Sequence, residues 1–278
     1  MNYLLYNPIS CNGRGMRLKD KALKKLKDKF DNLIAINQLT LDFESFKDKI
    51  FEGDNVIVCG GDGTLNHFVN MINKYPIKAK CFMYALGTGN DFFNDLNEKE
   101  FTPIDKYIYN LPKLKVNNSE YLFINNVGYG LDGETCRICD ESKKNKRKKN
   151  YRLVALKLLL KSYKPRNCKI CVDGITKEFE NVFIAPTMHG RYYGGGMMVA
   201  PDQIRGSHEL TLVIVHSKSR LKVITHFPKI FKGKHTKYKD IVEVIKGKNI
   251  KVSFDVPCAL QYDGETINNV FEYECTIE

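Results

Sequence analysis

The sequence predicts an α/β domain with a parallel, Rossmann-like sheet, followed by an antiparallel β-sandwich. Three observations carry this expectation. Through the first part of the chain, short apolar runs alternate with segments of helical spacing, a rhythm that yields a parallel sheet with helices on both faces. Beyond about residue 112 the texture shifts to short alternating strands bounded by turn residues. The glycine-bearing strings of the first part all fall at expected strand ends, where open parallel sheets bind ligands. The expected domains are 1–113 and 114–278, with the boundary inside 111–116.

Taken in order, residues 3–6 read as a first buried strand, stopped by Asn7-Pro8 and a loop running from Ser10 to Gly15. Leu18, Ala22, Leu23, Leu26 and Phe30 give 18–30 a helical apolar stripe with a basic outer face. A second strand covers 33–39 and ends at Thr40, and a short helix over 42–51 starts on Asp42, a good N-cap. Val56-Ile57-Val58-Cys59 is a β-branched run that enters Gly60-Gly61-Asp62-Gly63-Thr64-Leu65-Asn66, and a helical pattern follows over 65–75. The strand over 81–86 ends in Gly87-Thr88-Gly89-Asn90-Asp91-Phe92, where Asn90 and Asp91 also suit the cap of a following helix. In the second half, strands are expected over 121–125, 169–172, 178–184, 209–215, 241–245, 250–254 and 271–277. One helix interrupts them, over 151–163, with apolar Leu153, Leu156, Leu159 and Leu160.

The chain has 278 residues, 43% hydrophobic and 27% charged, which suits an ordinary globular protein with two modest cores. No apolar run approaches the ~20 residues of a membrane span, and the opening MNYLLYNP has neither a basic leader nor a cleavage site. A cytoplasmic protein is expected. Nine cysteines are scattered, and Cys168 and Cys171 alternate with Ile170 and Val172 as in a strand, so reduced thiols are favoured over a zinc site. The formal charge of +12 favours an anionic partner. Its densest run, 143–149, has no interleaved aromatics and no nucleic-acid motif, so an anionic membrane surface on the inner face is the expected partner, with no nucleic acid.

The string Gly60 to Asn66 points to chemistry. Glycines let backbone N–H groups approach a ligand, and a helix N-terminus after them attracts phosphate. Asp62 within that cradle would repel phosphate unless a cation such as magnesium lies between them. No GxxxxGK[ST] pattern is present, so a lysine-cradled P-loop is not expected.

GGDGTLN at 60–66 is similar to the signature of the diacylglycerol kinase catalytic domain, shared by bacterial lipid kinases, sphingosine kinases and ceramide kinases; soluble NAD kinases carry a related GGDGT. Further segments resemble that family in order: Asn7-Pro8 with Ser10, Gly87 to Phe92, Asn125 to Asp132, Gly194 to Pro201, and Gln261-Tyr262-Asp263-Gly264-Glu265. The resemblance covers almost the whole chain. It implies ATP and magnesium as cofactors and a lipid hydroxyl as acceptor, most simply diacylglycerol giving phosphatidic acid. The nucleotide would lie against Asn7, Pro8, Ser10, Thr40, Gly60, Gly61, Asp62, Gly63, Thr64, Leu65, Asn66, Gly87, Thr88, Asn90 and Asp91. Glu265 would accept the acceptor proton, with Asp263 nearby and Asp62 acting on magnesium through water.

Two departures stand out: His67 replaces the family's usual Glu, and Ser207-His208 replaces an Asp-Gly pair associated with a structural magnesium. A kinase of a soluble small molecule such as NAD, and a non-catalytic lipid-binding regulator, remain the alternatives. The identity of the lipid and assembly into a homodimer are left open.

Overall fold

Alternating apolar residues at the start of the chain build β1 (Asn2–Tyr6), whose Leu4 and Leu5 are completely buried on opposite faces. The computed structural model describes residues 1–86, 90–144 and 149–278, and the chain divides into two units, Met1–Asn110 and Leu111–Glu278.

In the first unit α1 (Ser10–Gly13) and α2 (Gly15–Leu26) lead to β2 (Leu33–Asn37). Next come α3 (Phe43–Lys47), β3 (Asn55–Gly60), α4 (Asp62–Lys74) and β4 (Lys80–Ala85). After these, α5 (Asp91–Leu96), β5 (Phe101–Pro103) and α6 (Asp105–Ile108) complete the unit. The sheet order is β2-β1-β3-β4-β5, parallel throughout except for the antiparallel edge strand β5. Leu4, Ile57, Cys59 and Tyr84 share a core with Ala22 and Leu26 of α2. On the opposite face Tyr3 meets Phe46 of α3 edge-on at 5.2 Å, and Phe43 lies 6.1 Å from His67 of α4. Helices therefore cover both faces. Asp42 caps α3 as expected, accepting from the N–H groups of Glu44 and Ser45, but α3 stops at Lys47 and α2 stops at Leu26, both short of their expected ends.

The second unit contains β6 (Lys113–Val116), β7 (Ser119–Leu122), β8 (Asn126–Tyr129), β9 (Arg166–Val172), β10 (Ile175–Ile184) and β11 (Thr187–Met188). It continues with β12 (Tyr192–Tyr193), β13 (Met197–Met198), β14 (Leu210–His216), β15 (Val242–Gly247), β16 (Asn249–Tyr262) and β17 (Glu265–Thr276). Ten of these strands form one sheet, and it folds into two layers because β16 serves both. The first half of β16 pairs with β9 and its last residues pair with β8, with register shifts between Ser253 and Leu260 where the strand bends.

Three helical stretches lie against the sheet: α7 (Leu131–Lys144), α8 (Tyr151–Lys157) with a π-helical turn at Leu158–Ser162, and α9 (Arg220–His226) followed by 3-10 turns to Lys237. Only the second was expected. β14 shows the consequence. Leu210, Leu212 and Ile214 face the sandwich interior, while Val213 and Val215 face the helical layer, so both sides are buried. The expected apolar stripe of 151–163 turns inward only in part: Leu159 is buried as expected, alongside Ala155 and Leu158, whereas Leu153 and Leu160 face outward.

Candidate functional site

In the first unit β1 runs to β2 on one side and the chain returns to β3 on the other, so the β1 and β3 ends flank a topological switch point. The turn after β3 depends on close packing. An added Cβ at Gly60 would stand 2.3 Å from the Thr64 Oγ1, so this position excludes any side chain. Gly61 precedes α4 in extended geometry, and the N–H groups of Thr64 and Leu65 donate back to its carbonyl at 3.0 and 3.1 Å. Gly63 differs, because a Cβ there meets no atom of the described residues within 4 Å. First-turn amides of a helix lack acceptors within it, and its dipole is positive at that end. The space above Gly63 lets an anion reach that backbone.

Asp62 opens α4, and its two carboxylate oxygens accept the Asp91 N–H at 2.9 Å and the Phe92 N–H at 3.0 Å. It thereby caps α5 from a different turn, a role the sequence offered to Asn90 and Asp91; Asn90 occupies the cap position and Asp91 is buried. The turn after β1 is built similarly. The Asn7 carbonyl accepts from the Ser10 N–H and hydroxyl at 3.1 and 2.8 Å, and Pro8 is followed by Ile9, whose N–H donates to the Asn7 side chain. A Cβ on Gly15 would overlap the Asn7 carbonyl oxygen at 2.0 Å. The Cys11 thiol donates to the Leu86 carbonyl at 3.0 Å, and the Leu86 N–H donates to the Gly60 carbonyl at 2.9 Å. The ends of β1, β3 and β4 thus meet at one edge.

Gly87 and Thr88 lie outside the described residues, as does 145–148 of the basic run. Thr40 is exposed beyond β2, with its hydroxyl on the Asn37 carbonyl. Leu65 and Asn66 are buried on the packed side of α4, where Asn66 accepts from the Asn70 side chain. Gln38 escaped the sequence reading. It is buried just beyond β2, and its amide donates to the Thr64 carbonyl at 3.2 Å, which fixes the end of β2 to the first turn of α4. A polar residue directly after an apolar strand was the available signal.

In the second unit β16 and β17 are joined by Asp263-Gly264, with φ of +45° and +94°, the two-residue hairpin in which both positions are left-handed. The Asp263 carboxylate accepts three N–H groups, from Ile124 at 2.5 Å, Asn125 at 2.8 Å and Asn126 at 3.1 Å. Glu265 follows as the first residue of β17 and is exposed. The two carboxylates of one motif therefore have different work: Asp263 locks the turn against the 124–126 bend, and Glu265 faces out. Arg205 grips the same bend, donating to the Ile124 carbonyl at 2.6 Å and the Asn125 side chain at 2.7 Å.

A buried polar cluster was also missed. Asp132 is 2% exposed, accepts from the Tyr193 hydroxyl at 3.1 Å and from the Gly133 N–H, and burial pushes its carboxyl up to about 6. The hydroxyls of Tyr151 and Tyr163, buried nearby, have no hydrogen-bond partner among the described residues. Asp132 ends a segment that the family resemblance had singled out for its glycines.

A profile of the diacylglycerol kinase catalytic domain matches residues 2–114, and one of the YegS C-terminal NAD kinase beta sandwich-like domain matches 125–273. The chain belongs to the diacylglycerol kinase catalytic-domain family. A diacylglycerol kinase of Mycobacterium tuberculosis is 23% identical over 263 residues, covering 89% of this chain and 83% of that protein. A crystal structure of a diacylglycerol kinase from Bacillus anthracis shares the fold, with a TM-score of 0.68 at 22% identity, covering 99% and 93% of the two chains. Membership makes the protein a member of a kinase family, and kinases use a nucleotide.

Two metals that this diacylglycerol kinase family implies fit the residues differently. Both oxygens of Asp62 accept backbone N–H groups, and a carboxylate placed at that turn suits a water of a nucleotide-borne magnesium. No cluster of three acidic, Cys or His side chains that could hold a metal by itself occurs among the described residues. The structural magnesium does not fit. At its expected loop Ser207 donates to the Glu209 carbonyl, and His208 is exposed with its ring on the Glu278 carbonyl. The buried Gln203 amide fills the turn instead, donating to the Glu209 carbonyl at 3.0 Å while its oxygen accepts from Thr211.

Proposed function

We propose that the protein transfers the γ-phosphoryl group of ATP, with magnesium, to the hydroxyl of a lipid, with diacylglycerol the first acceptor to test. The observation that carries this reading is the edge of the first unit, where Gly63, the α4 N-terminus and the Asn7–Ser10 turn lie together at the switch point. Backbone amides there would hold the phosphates, and Asp62 would orient magnesium through water. Magnesium bound to the phosphates supplies the charge neutralisation that a loose phosphoryl-transfer transition state needs.

Glu265 would take the proton as the new O–P bond forms, held in place by the turn that Asp263 locks. An exposed carboxylate on a rigid two-residue hairpin suits a group that must meet an acceptor from outside. The lipid acceptor is supported by the family of the chain and by the diacylglycerol kinase names of its relatives. Peripheral association with an anionic membrane from the cytoplasmic side is part of the same reading, since such an acceptor resides in a bilayer.

The test is incubation with γ-labelled ATP, magnesium and mixed micelles of diacylglycerol, phosphatidylglycerol, a sphingoid base or an isoprenoid alcohol, with soluble NAD as a control acceptor. Label in a lipid and none in NAD is expected. Label in NAD alone would contradict the lipid reading.

A further inference from the structure

Nearly all of the net positive charge of this chain lies beyond residue 110. Residues 1–110 hold fifteen Lys/Arg and fourteen Asp/Glu, close to balance. Segments 150–165 and 217–239, thirty-nine residues together, hold twelve Lys/Arg and no Asp or Glu. These segments are α8 with its π-helical turn, and α9 with its 3-10 turns.

They lie side by side and antiparallel. The Arg220 guanidinium, at the start of α9, donates to the carbonyls of Leu159 and Tyr163 at the end of the first segment. Arg152, at the start of α8, stacks 4.9 Å from the ring of Phe231 near the end of the second. Inward, Ala155, Leu158, Leu159, Val223 and Ile230 join one core with the sheet. Outward, Leu153, Lys157 and Leu160 follow i, i+4, i+7 spacing along one stripe. Leu153, Leu160 and Leu221 are 66%, 48% and 68% exposed among the lysines.

A merely solvated helical face ordinarily interleaves acidic residues with its lysines, because like charges at i, i+4 repel. Among the described residues, carboxylates reach these lysines from outside the segments, Asp240 on Lys222 and Glu180 on Lys218. Unbalanced basic charge together with protruding leucines is the composition of a helical surface that lies on an anionic bilayer: the charge attracts headgroups and the leucines enter the acyl boundary.

We propose that this two-segment layer is the face on which the protein docks onto an anionic phospholipid membrane. The proposal rests on the lipid-acceptor reading for its purpose, and its test is independent of catalysis. The basic run 143–149, which the sequence offered for this role, carries no part of the argument.

The experiment is sedimentation of the full chain, without nucleotide, on vesicles of phosphatidylglycerol in phosphatidylcholine and on pure phosphatidylcholine. The layer variant is Lys157→Gln/Lys161→Gln/Lys218→Gln/Lys232→Gln. A control, Lys21→Gln/Lys24→Gln/Lys27→Gln/Lys49→Gln, removes the same charge from the first unit, and thermal melting verifies that both fold. The layer variant is expected to lose partition on anionic vesicles on the order of 10²-fold at low salt, with the control near wild type. Leu153→Ser/Leu221→Ser is expected to lose about tenfold, in high salt as well. Equal loss in layer variant and control, or undiminished partition of the layer variant, overturns the proposal. So does binding of duplex DNA by this face that anionic vesicles fail to displace. If vesicles bind as expected while no lipid is phosphorylated, the docking face stands and the kinase reading fails.

Discussion

Gly60 and Gly63 belong to one motif and are glycine for different reasons. Gly60 is closed off by Thr64, so Gly60→Ala should destabilise the first unit by about 1–3 kcal/mol in urea unfolding, the usual cost of overpacking. Gly63 lies within the first turn of α4 and a Cβ there meets no atom of the described residues, so Gly63→Ala should gain up to about 1 kcal/mol in stability from helix propensity. The same variant should weaken magnesium-ATP binding, measured calorimetrically, because under the proposed function the methyl group would stand where phosphate approaches. A loss of stability with unchanged nucleotide affinity would reverse that assignment.

Asp132 makes a pH prediction at the same scale. Its folded pKa is raised to about 6, against about 3.9 in an unfolded chain. Between those values the folded state keeps a proton that the unfolded state has released, so stability falls as pH rises through about 4 to 6 and stays lowered above. Asp132→Asn removes the buried charge and should melt higher than wild type at pH 7.5, by up to about 3 kcal/mol. At pH 4 the two should nearly coincide. An advantage at pH 4 equal to that at pH 7.5 would contradict the assignment.

At the scale of elements, legibility followed apolar periodicity. The strands of the first unit were readable because Val, Ile and Leu mark them. α7 was not, because its inward positions are Leu131, Thr135, Cys136, Cys139 and Ser142, a helical spacing written mostly in small polar and thiol side chains. The outward turn of Leu153 and Leu160 was hidden for a related reason: a row of leucines fixes the existence of a helix and not which leucines meet the core. The DGE turn was legible as a hairpin and as a motif. That Asp263 locks three distant amides could not be read locally, because 137 to 139 residues separate the partners. Asp263→Ala should unlock the turn and cost about 1–3 kcal/mol of stability through the orphaned N–H groups, read in the same urea experiment.

Across the whole molecule, the proposed reading would draw phosphate-binding backbone from the first unit, and the exposed carboxylate and the basic helical layer from the second. The Gln203 turn adds a metal prediction. With that loop closed by an amide, melting of the nucleotide-free protein should be the same in EDTA and in millimolar magnesium. A magnesium-dependent rise in Tm would show a structural site that these residues do not provide.

The division of labour between the units is tested most directly by Glu265→Gln, which keeps the shape of the side chain and removes the base. Label transfer from ATP to lipid should fall about 10²–10⁴-fold, while magnesium-ATP affinity stays at the wild-type value. Near-normal lipid phosphorylation by this variant would contradict the account and leave Asp263-Gly264-Glu265 an ordinary hairpin.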